Sequence, residues 1–375
     1  MAFLHRTWAE ISTSALVHNF KTIKNSAQNC RLMAVVKADA YGHGTDIVLP
    51  ALISAGADCF AVSNIDEAME LRSMGIKSPI LILGYTPFEA AEKLALNNIT
   101  QSVYDKEYAK HLSEYATRAN VTVTTHIKLD TGMGRIGFDC RSDDLKGLED
   151  IREILSLSGL SFEGVFTHFS CADRSGDQNG DYTNEQYDRF MKAVALIKEN
   201  CNSVKTVHCC NSAGLLLEKD KHSHLCRPGI ILYGLSPDEG MTFKEELIPA
   251  MTLKSVVSMV KEVEKDTCVS YGRTYKSDKK IKLATVSVGY ADGYPRALSN
   301  KGEVIINGQR AKIVGRVCMD QMVVDVSHIE NIKIGDEVTL FGKDLPVDEI
   351  ARLCGTINYE IVCGISKRVP RIKVR

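Results

Sequence analysis

No apolar run in this sequence approaches the roughly 20 residues that a membrane-spanning helix requires, so a membrane protein is not expected. The opening stretch, MAFLHRTWAEIS, lacks the apolar core of a secretory signal, and a cytoplasmic protein is the expectation. An excess of either charge is missing too: 46 basic and 47 acidic residues leave a formal net charge of -1. Nucleic acid and anionic membrane surfaces both call for clustered positive charge, so neither is expected as a main partner. The 12 cysteines include no C-x-x-C pair. Cys209 and Cys210 are adjacent, which suits neither a disulfide nor a zinc knuckle. The expectation is reduced thiols and no metal. Repeats and low-complexity tracts are also absent.

What is present is an ordinary globular composition, 44% apolar and 25% charged over 375 residues. That length allows two domains, or one barrel with an appendage. Short apolar runs at 32–36, 59–62, 80–83, 99–103, 121–129, 164–168, 204–208 and 225–232 read as strands. Between them, helical patterns occupy 45–55, 65–74, 87–97, 105–119, 143–157, 183–199 and 211–218. Asp105 reads as an N-cap, and Thr183 with Gln186 as a capping box. Eight βα units of even size favour a (β/α)8, TIM-like barrel over a doubly wound open sheet. After LYGLSPDEG the texture becomes antiparallel, with alternating runs and an Asn307-Gly308 hairpin signal. One short helical stretch, 347–353, interrupts it. The division expected is a barrel over 1–240 and a mainly antiparallel β domain over 241–375.

Barrel active sites lie at the C-terminal ends of the strands. Residues 34 to 44 read AVVKADAYGHG, an apolar strand ending in Lys37. A buried ammonium is costly unless paired or neutralised, and a desolvated lysine is the residue that forms Schiff bases. The other strand ends carry Lys128, Asp130 and Arg135, then His168, then His208, Asn211 and Ser212, then Arg227 and Gly229. Taken singly, Lys128 or His168 is more often structural, and His208 reads as core. Taken together, Lys37, Lys128, Arg135 and Arg227 need anions, such as a cofactor phosphate and a substrate carboxylate. NSAG, opening a helix at Asn211, offers backbone N–H groups and a hydroxyl to a phosphate. The glycines of GMGRIG at 132–137 match a dinucleotide fingerprint, but the loop-like FDCRSDD follows where that motif needs a helix.

The segments AVVKADAYGHG, HIKLDTGMGRIGF, THFSCAD, RPGIILYG, VSYGRTY, VGYADGYPR, VGRVCMDQMVVDV and TINYEIVCGISKRVPR keep the order and spacing of one family. Together they resemble alanine racemase, the pyridoxal 5'-phosphate (PLP) enzymes with a barrel and a C-terminal β domain. The resemblance implies interconversion of L- and D-alanine, with D-alanine supplied to peptidoglycan, and a homodimer with shared active sites. Lys37 would carry PLP as a Schiff base. Tyr41, Ser212, Gly229, Ile230 and Tyr359 would contact its phosphate, and Arg227 would face the pyridine nitrogen. His168 would bond Arg227 and support Tyr271. Tyr271 and Met319 would reach the other subunit's site. Arg135 would orient toward the substrate carboxylate, held by Lys128, which is carbamylated in many relatives. Asp173, Arg296, Arg316 and Ile357 match an entry corridor.

Racemisation removes a Cα proton from one face and returns one to the other, so two bases serve it better than one. Lys37 suits one face and Tyr271 the other, provided cations lower a tyrosine pKa that is ordinarily about 10. A guanidinium at the pyridine nitrogen does not give up its proton, which weakens the electron sink and limits transamination. The sequence departs from many relatives at Lys367, usually aromatic, and at Arg273, usually small; both bear on corridor shape and dimer contacts. Tyr359 favours alanine, with a serine or broad-specificity racemase the alternative. A non-catalytic PLP carrier would lack the β domain and its VSYG segment. A cofactor-free Schiff-base aldolase would not need NSAG with RPG.

Overall fold

The computed structural model describes residues 6–27, 30–173 and 177–375, the side chains of 177–180 apart. The chain forms two compact units, one of Met1–Leu16, Tyr41–Val48 and Ile248–Arg375, the other of Val17–Ala40 and Leu49–Leu247. Among the described residues no helix is long and apolar enough to cross a membrane.

Strand β1 (Thr7–Ser12) opens the chain. The barrel unit then contributes β2 (Arg31–Val35), β3 (Cys59–Val62), β4 (Ile80–Ile82), β5 (Ile99–Val103) and β6 (Val123–Asp130). It continues with β7 (Phe138–Asp139), β8 (Leu160–Phe166), β9 (Thr206–His208) and β10 (Leu225–Cys226). Eight run parallel in the order β10-β2-β3-β4-β5-β6-β8-β9, with β7 beside the end of β6. This is the TIM-like architecture expected. The strands are buried on both faces, β3 and β4 completely, as parallel sheets covered by helices must be. Each buried Phe, Leu or Val contributes about 1.5–3 kcal/mol, and Phe60, Phe166 and Phe190 are among the largest side chains fully enclosed.

The barrel closes at a seam. Between β9 and β10 no strand ladder forms among the described residues. The Arg227 N–H donates to the Cys210 carbonyl at 3.0 Å, and the Val207 N–H donates to His224 Nδ1 at 3.1 Å.

Local signals account for much of the helix placement. Lys106–Arg118 starts where Asp105 accepts the Tyr108 N–H at 2.9 Å. It buries Tyr108, Ala109, Leu112 and Ala116 at helical spacing. Two readings need correction. The helix expected at 183 begins at Asp177, and Thr183 is buried within it. Gln186 is no capping partner: its carboxamide oxygen accepts the Ser170 N–H at 3.0 Å, and its NH2 donates to the His168 carbonyl at 3.3 Å. The run 225–232 is strand only to Cys226, because Pro228 has no N–H for a ladder and Ile230–Tyr233 turns into a 3-10 helix.

The second unit holds β11 (Met251–Val263), β12 (Cys268–Val269), β13 (Tyr275–Lys276), β14 (Ile281–Val286) and β15 (Glu303–Ile306). It ends with β16 (Gln309–Ile313), β17 (Met322–Asp325), β18 (Glu337–Phe341) and β19 (Arg371–Val374). Its main sheet has the order β14-β17-β16-β15-β18-β11-β1-β19, and β14 also pairs with β11. β11 alternates buried and half-buried residues along its first eight positions, the pattern of a sheet with one wet face. Asn307 (φ 48°) and Gly308 (φ 75°) join β15 to β16, both left-handed as a type I′ turn requires. β1 pairs antiparallel with β11 and parallel with β19. The unit built on the C-terminal part therefore takes in Met1–Leu16 and Tyr41–Val48, where the sequence was divided at 240. Besides the expected helix, Val347–Cys354, a second one forms at Asn358–Cys363.

Candidate active site

Lys37 follows the C-terminal end of β2 and is half-buried. The backbone beyond it is unusual: Ala38, Asp39, Ala40 and Tyr41 all have φ between 52° and 54°. Left-handed helical geometry costs an L-residue roughly 1–2 kcal/mol, so four in succession need support. Glu67 provides part of it. One carboxylate oxygen accepts the Ala38 N–H at 2.8 Å and the other accepts the Ser63 N–H at 2.7 Å. The Ala40 N–H returns to the Val36 carbonyl at 3.0 Å. The turn begins directly after Lys37, two residues past the end of β2. Such concentrated backbone strain points to function.

On the neighbouring strand end, directly after β10, sits Arg227, 3% exposed. It donates to His208 Nδ1 at 2.8 Å, to the Thr167 carbonyl at 2.7 Å and to the Cys209 carbonyl at 3.1 Å, with His168 Nδ1 farther off at 3.4 Å. Since His208 Nδ1 accepts, His208 Nε2 carries the proton and donates to His126 Nδ1 at 2.9 Å. Burial, followed by the charge of Arg227, pushes His208 and His168 well below the usual histidine range and His126 down to about 4. All three imidazoles are neutral at pH 7. Arg227 is thus a buried cation without a carboxylate partner among the described residues. Phe166 supports the group: His208 stacks on it at 4.8 Å and 4°, and the Arg227 guanidinium lies 5.4 Å from its ring centre.

Lys128 is buried, its Nζ 5.7 Å from the centre of the Phe166 ring. Burial first, then the charges of Arg135, Arg227 and Lys37, push its pKa down to about 7 against the pull of Asp130. The electrostatics therefore bring Lys37, Lys128, Arg135 and Arg227 into one cationic cluster. As an ammonium, Lys128 repels Arg135 rather than holding it. Arg135 is exposed on the loop after β6. Asp130 shapes that loop by accepting the Gly132 and Gly134 N–H groups, each at 3.0 Å. The glycines of GMGRIG serve this turn, with φ 143°, 69° and 139°, and a strand follows rather than the helix a dinucleotide motif needs.

The NSAG helix is short, Ser212–Leu217, and its first turn is partly engaged. Asn211 accepts the Gly214 N–H at 2.9 Å, and the Ser212 hydroxyl accepts the Gly229 N–H at 2.9 Å. Ser212, Gly229 and Ile230 are nonetheless brought side by side. Asp173 lies on the loop after β8, half-buried.

The remaining candidates belong to the other unit. Tyr41 is buried with its ring 6.0 Å from that of Tyr359, and burial raises its hydroxyl pKa. Tyr271 is 71% exposed and Met319 53% exposed. Tyr271 follows Ser270, at φ 64° and ψ -176°, a region nearly reserved for glycine. The Ser270 hydroxyl holds the turn by donating to the Arg316 carbonyl at 2.6 Å, and Gly272 passes so near the Arg316 guanidinium that a Cβ would lie 3.2 Å from it. Arg273 is also left-handed, at φ 48°. The Met319 and Cys318 carbonyls accept the Ala291 and Tyr290 N–H groups, both at 3.0 Å. Arg296 begins a 3-10 turn, and Ile357 precedes the helix Asn358–Cys363.

Sequence reasoning missed Glu67, His126, Phe166 and Thr167. A signal existed for one of them. His126, Lys128 and Asp130 alternate along β6, so they share a face. Gly164 makes room for His126, since a Cβ there would lie 2.6 Å from its ring.

Residues 11–237 match the family model described as alanine racemase, N-terminal domain, and 250–373 match alanine racemase, C-terminal domain. An alanine racemase of Clostridium perfringens is 47% identical over 370 residues, 97% of this chain and 94% of that one. An alanine racemase of Desulforamulus reducens is 45% identical over 371 residues, 98% of each. The solved alanine racemase of Clostridium difficile superposes with a TM-score of 0.92 at 39% identity, covering 100% of this chain and 97% of that chain.

Proposed function

We propose that this chain, which belongs to the alanine racemase family and so interconverts the enantiomers of alanine, does this with PLP held at Lys37 and with Lys37 and Tyr271 as paired bases. The observation that carries the reading is Arg227, a buried guanidinium held, among the described residues, by neutral imidazoles and carbonyls. A group that cannot surrender its proton beside a strand-end lysine suits a cofactor ring that must accept a hydrogen bond without being protonated. The residues present fit PLP in other ways. Lys37 would hold it covalently, and Ser212 with the Gly229–Ile230 backbone would hold its phosphate, with Tyr41 and Tyr359 as further phosphate contacts. Bound there, PLP would supply the electron sink that acidifies the substrate Cα–H.

The chain's own groups then do the proton work. Lys37 Nζ takes or returns the proton on one face, and the hydroxyl of Tyr271 of the partner subunit serves the opposite face. Arg135, with Met319 of the partner subunit, orients the substrate carboxylate. Asp173, Arg296, Arg316 and Ile357 line the approach. A homodimer with shared sites follows from this division, and D-alanine for peptidoglycan would be the product used. A serine or broad-specificity racemase stands second.

Replacing Tyr271 by Phe tests the two-base assignment. Each base abstracts from one face only, so the Cα-deuterium isotope effect should change differently for L- and D-alanine, and L-serine should turn over more slowly than L-alanine in the unaltered enzyme. Equal, small changes in both directions would remove Tyr271 from the base role.

Lys128 has a modification chemistry of its own. With a pKa near 7, about half of it is free amine at neutral pH. The amine nitrogen attacks carbon dioxide, a C–N bond forms, one C=O π pair becomes a carboxylate, and the nitrogen's proton passes to solvent. The carbamate anion would hold Arg135, which the ammonium repels. Protein equilibrated with 13C-bicarbonate should show a carbamate carbon resonance that Lys128→Arg lacks; a spectrum without it, or one unchanged by the substitution, rules out carbamylation at Lys128.

A further inference from the structure

Cysteine spacing along the chain argues against a metal centre, but the fold gathers one set of donors away from the catalytic groups. Cys210 Sγ, Cys226 Sγ and a ring nitrogen of His222 lie within 4.8 Å of one another. Cys30 Sγ is 3.2 Å from Cys226 Sγ. Cys210 and Cys226 are fully buried and His222 is half-buried at the edge. The tautomer of His222 follows from its partners. Nε2 lies 2.8 Å from the Leu215 carbonyl, which can only accept, so Nε2 carries the proton. Nδ1 therefore presents a lone pair, and it is buried without a hydrogen-bond partner. A metal-bound histidine shows this same arrangement, its second nitrogen donating to a backbone carbonyl.

We propose that Cys210, His222 and Cys226 bind a thiophilic d10 cation, Zn2+ in particular, with Cys30 as the fourth ligand. Thiolate and imidazole donors select this class of ion. Around a tetrahedral zinc with bonds of about 2.3 Å, sulfurs stand about 3.8 Å apart, which Cys210, His222 and Cys226 approach within their 4.8 Å grouping, and Cys30 adjoins the group through Cys226. Each thiol releases its proton to solvent on binding. With three thiolates the complex carries one negative charge, and Arg227, next in sequence to Cys226, is a buried cation without a carboxylate partner among the described residues. Without an ion, hydrogen bonds among these thiols act first and in both directions, Cys209 lowering Cys210 while Cys226 raises it, and Cys210 lowering Cys226 while Cys30 raises it; burial adds to the rise, and both thiols stay protonated.

The position gives the ion a role. Cys210 follows β9, Cys226 ends β10 and Cys30 precedes β2. The ion joins these segments across the seam where the barrel lacks a strand ladder. The folded state alone brings these four donors together, so an ion held there raises the thermal midpoint by mass action.

The test uses the full-length protein purified without a metal-affinity tag, reduced, freed of metal by chelation and then titrated with Zn2+ alone. About one zinc per chain and a higher thermal midpoint are expected, and Co2+ in its place should give the intense visible bands of a tetrahedral thiolate site. Cys226→Ser and His222→Gln should each weaken zinc binding more than about tenfold. If Cys226→Ser does not fold, the half-buried His222→Gln carries the same comparison. The proposal is overturned if the unaltered protein binds no zinc, if both variants bind it equally well, or if peptide mapping finds Cys30 and Cys226 joined as a disulfide in zinc-free protein.

Discussion

Lys37→Ala is expected to abolish the interconversion of L- and D-alanine and to remove the yellow colour that PLP takes on when bound to a lysine. The loss should be at least about 10²–10⁴-fold, the range for removing one positioned base, and larger if, as proposed, the same side chain is the covalent anchor. The fold should survive, since Lys37 is half-buried and Glu67 anchors the turn beyond it. One readout separates chemistry from structure. Lys37 is among the charges that depress the Lys128 amine and the His168 imidazole. Its removal should raise both titrations, which NMR can follow, while the far-ultraviolet dichroism stays unchanged. A variant that keeps colour and normal turnover would make Lys37 a structural lysine.

Mixing two dead enzymes should restore activity. A Lys37→Ala chain and a Tyr271→Ala chain are each inactive under the proposed architecture. In a mixed dimer, one site collects both substitutions and the other collects neither. Random exchange makes about half of all dimers mixed, so about a quarter of full activity should return if the two sites of a closed two-fold dimer work independently. The exposure of Tyr271, Met319 and Ile357 in the single chain supports the arrangement, because large apolar side chains left in water commonly mark contact surfaces. Activity that stays at zero, with exchange confirmed by mass, would assign Lys37 and Tyr271 to the same chain.

What was legible in the sequence was local. Alternating strand and helix periods announced the barrel, Asp105 its helix start and Asn307-Gly308 its hairpin. The strand-end rule located Lys37, Lys128, His168 and Arg227 at one rim. Each of these signals is confined to a few neighbouring residues, where propensity and pattern act. The left-handed turn after Lys37 carries no such signal, since alanine and aspartate do not advertise positive φ. Glu67 supports it from another strand–helix junction. β1 went to the far sheet because its partners begin at Met251, beyond the reach of any window. The capping box at Thr183 misled for the opposite reason: the local pattern is real, but the preceding residues are helical as well, and Thr183 and Gln186 were recruited to the loop after β8. By itself, then, the sequence determined the architecture, the family and most element types, and it nominated the candidate rim residues. Tertiary structure alone decided that Arg227 is surrounded by neutral histidines, that Lys128 loses its proton near neutrality, and that Cys30 meets Cys226 across 196 residues. Burial and the juxtaposition of distant strands set those properties, and both arise only when the barrel closes.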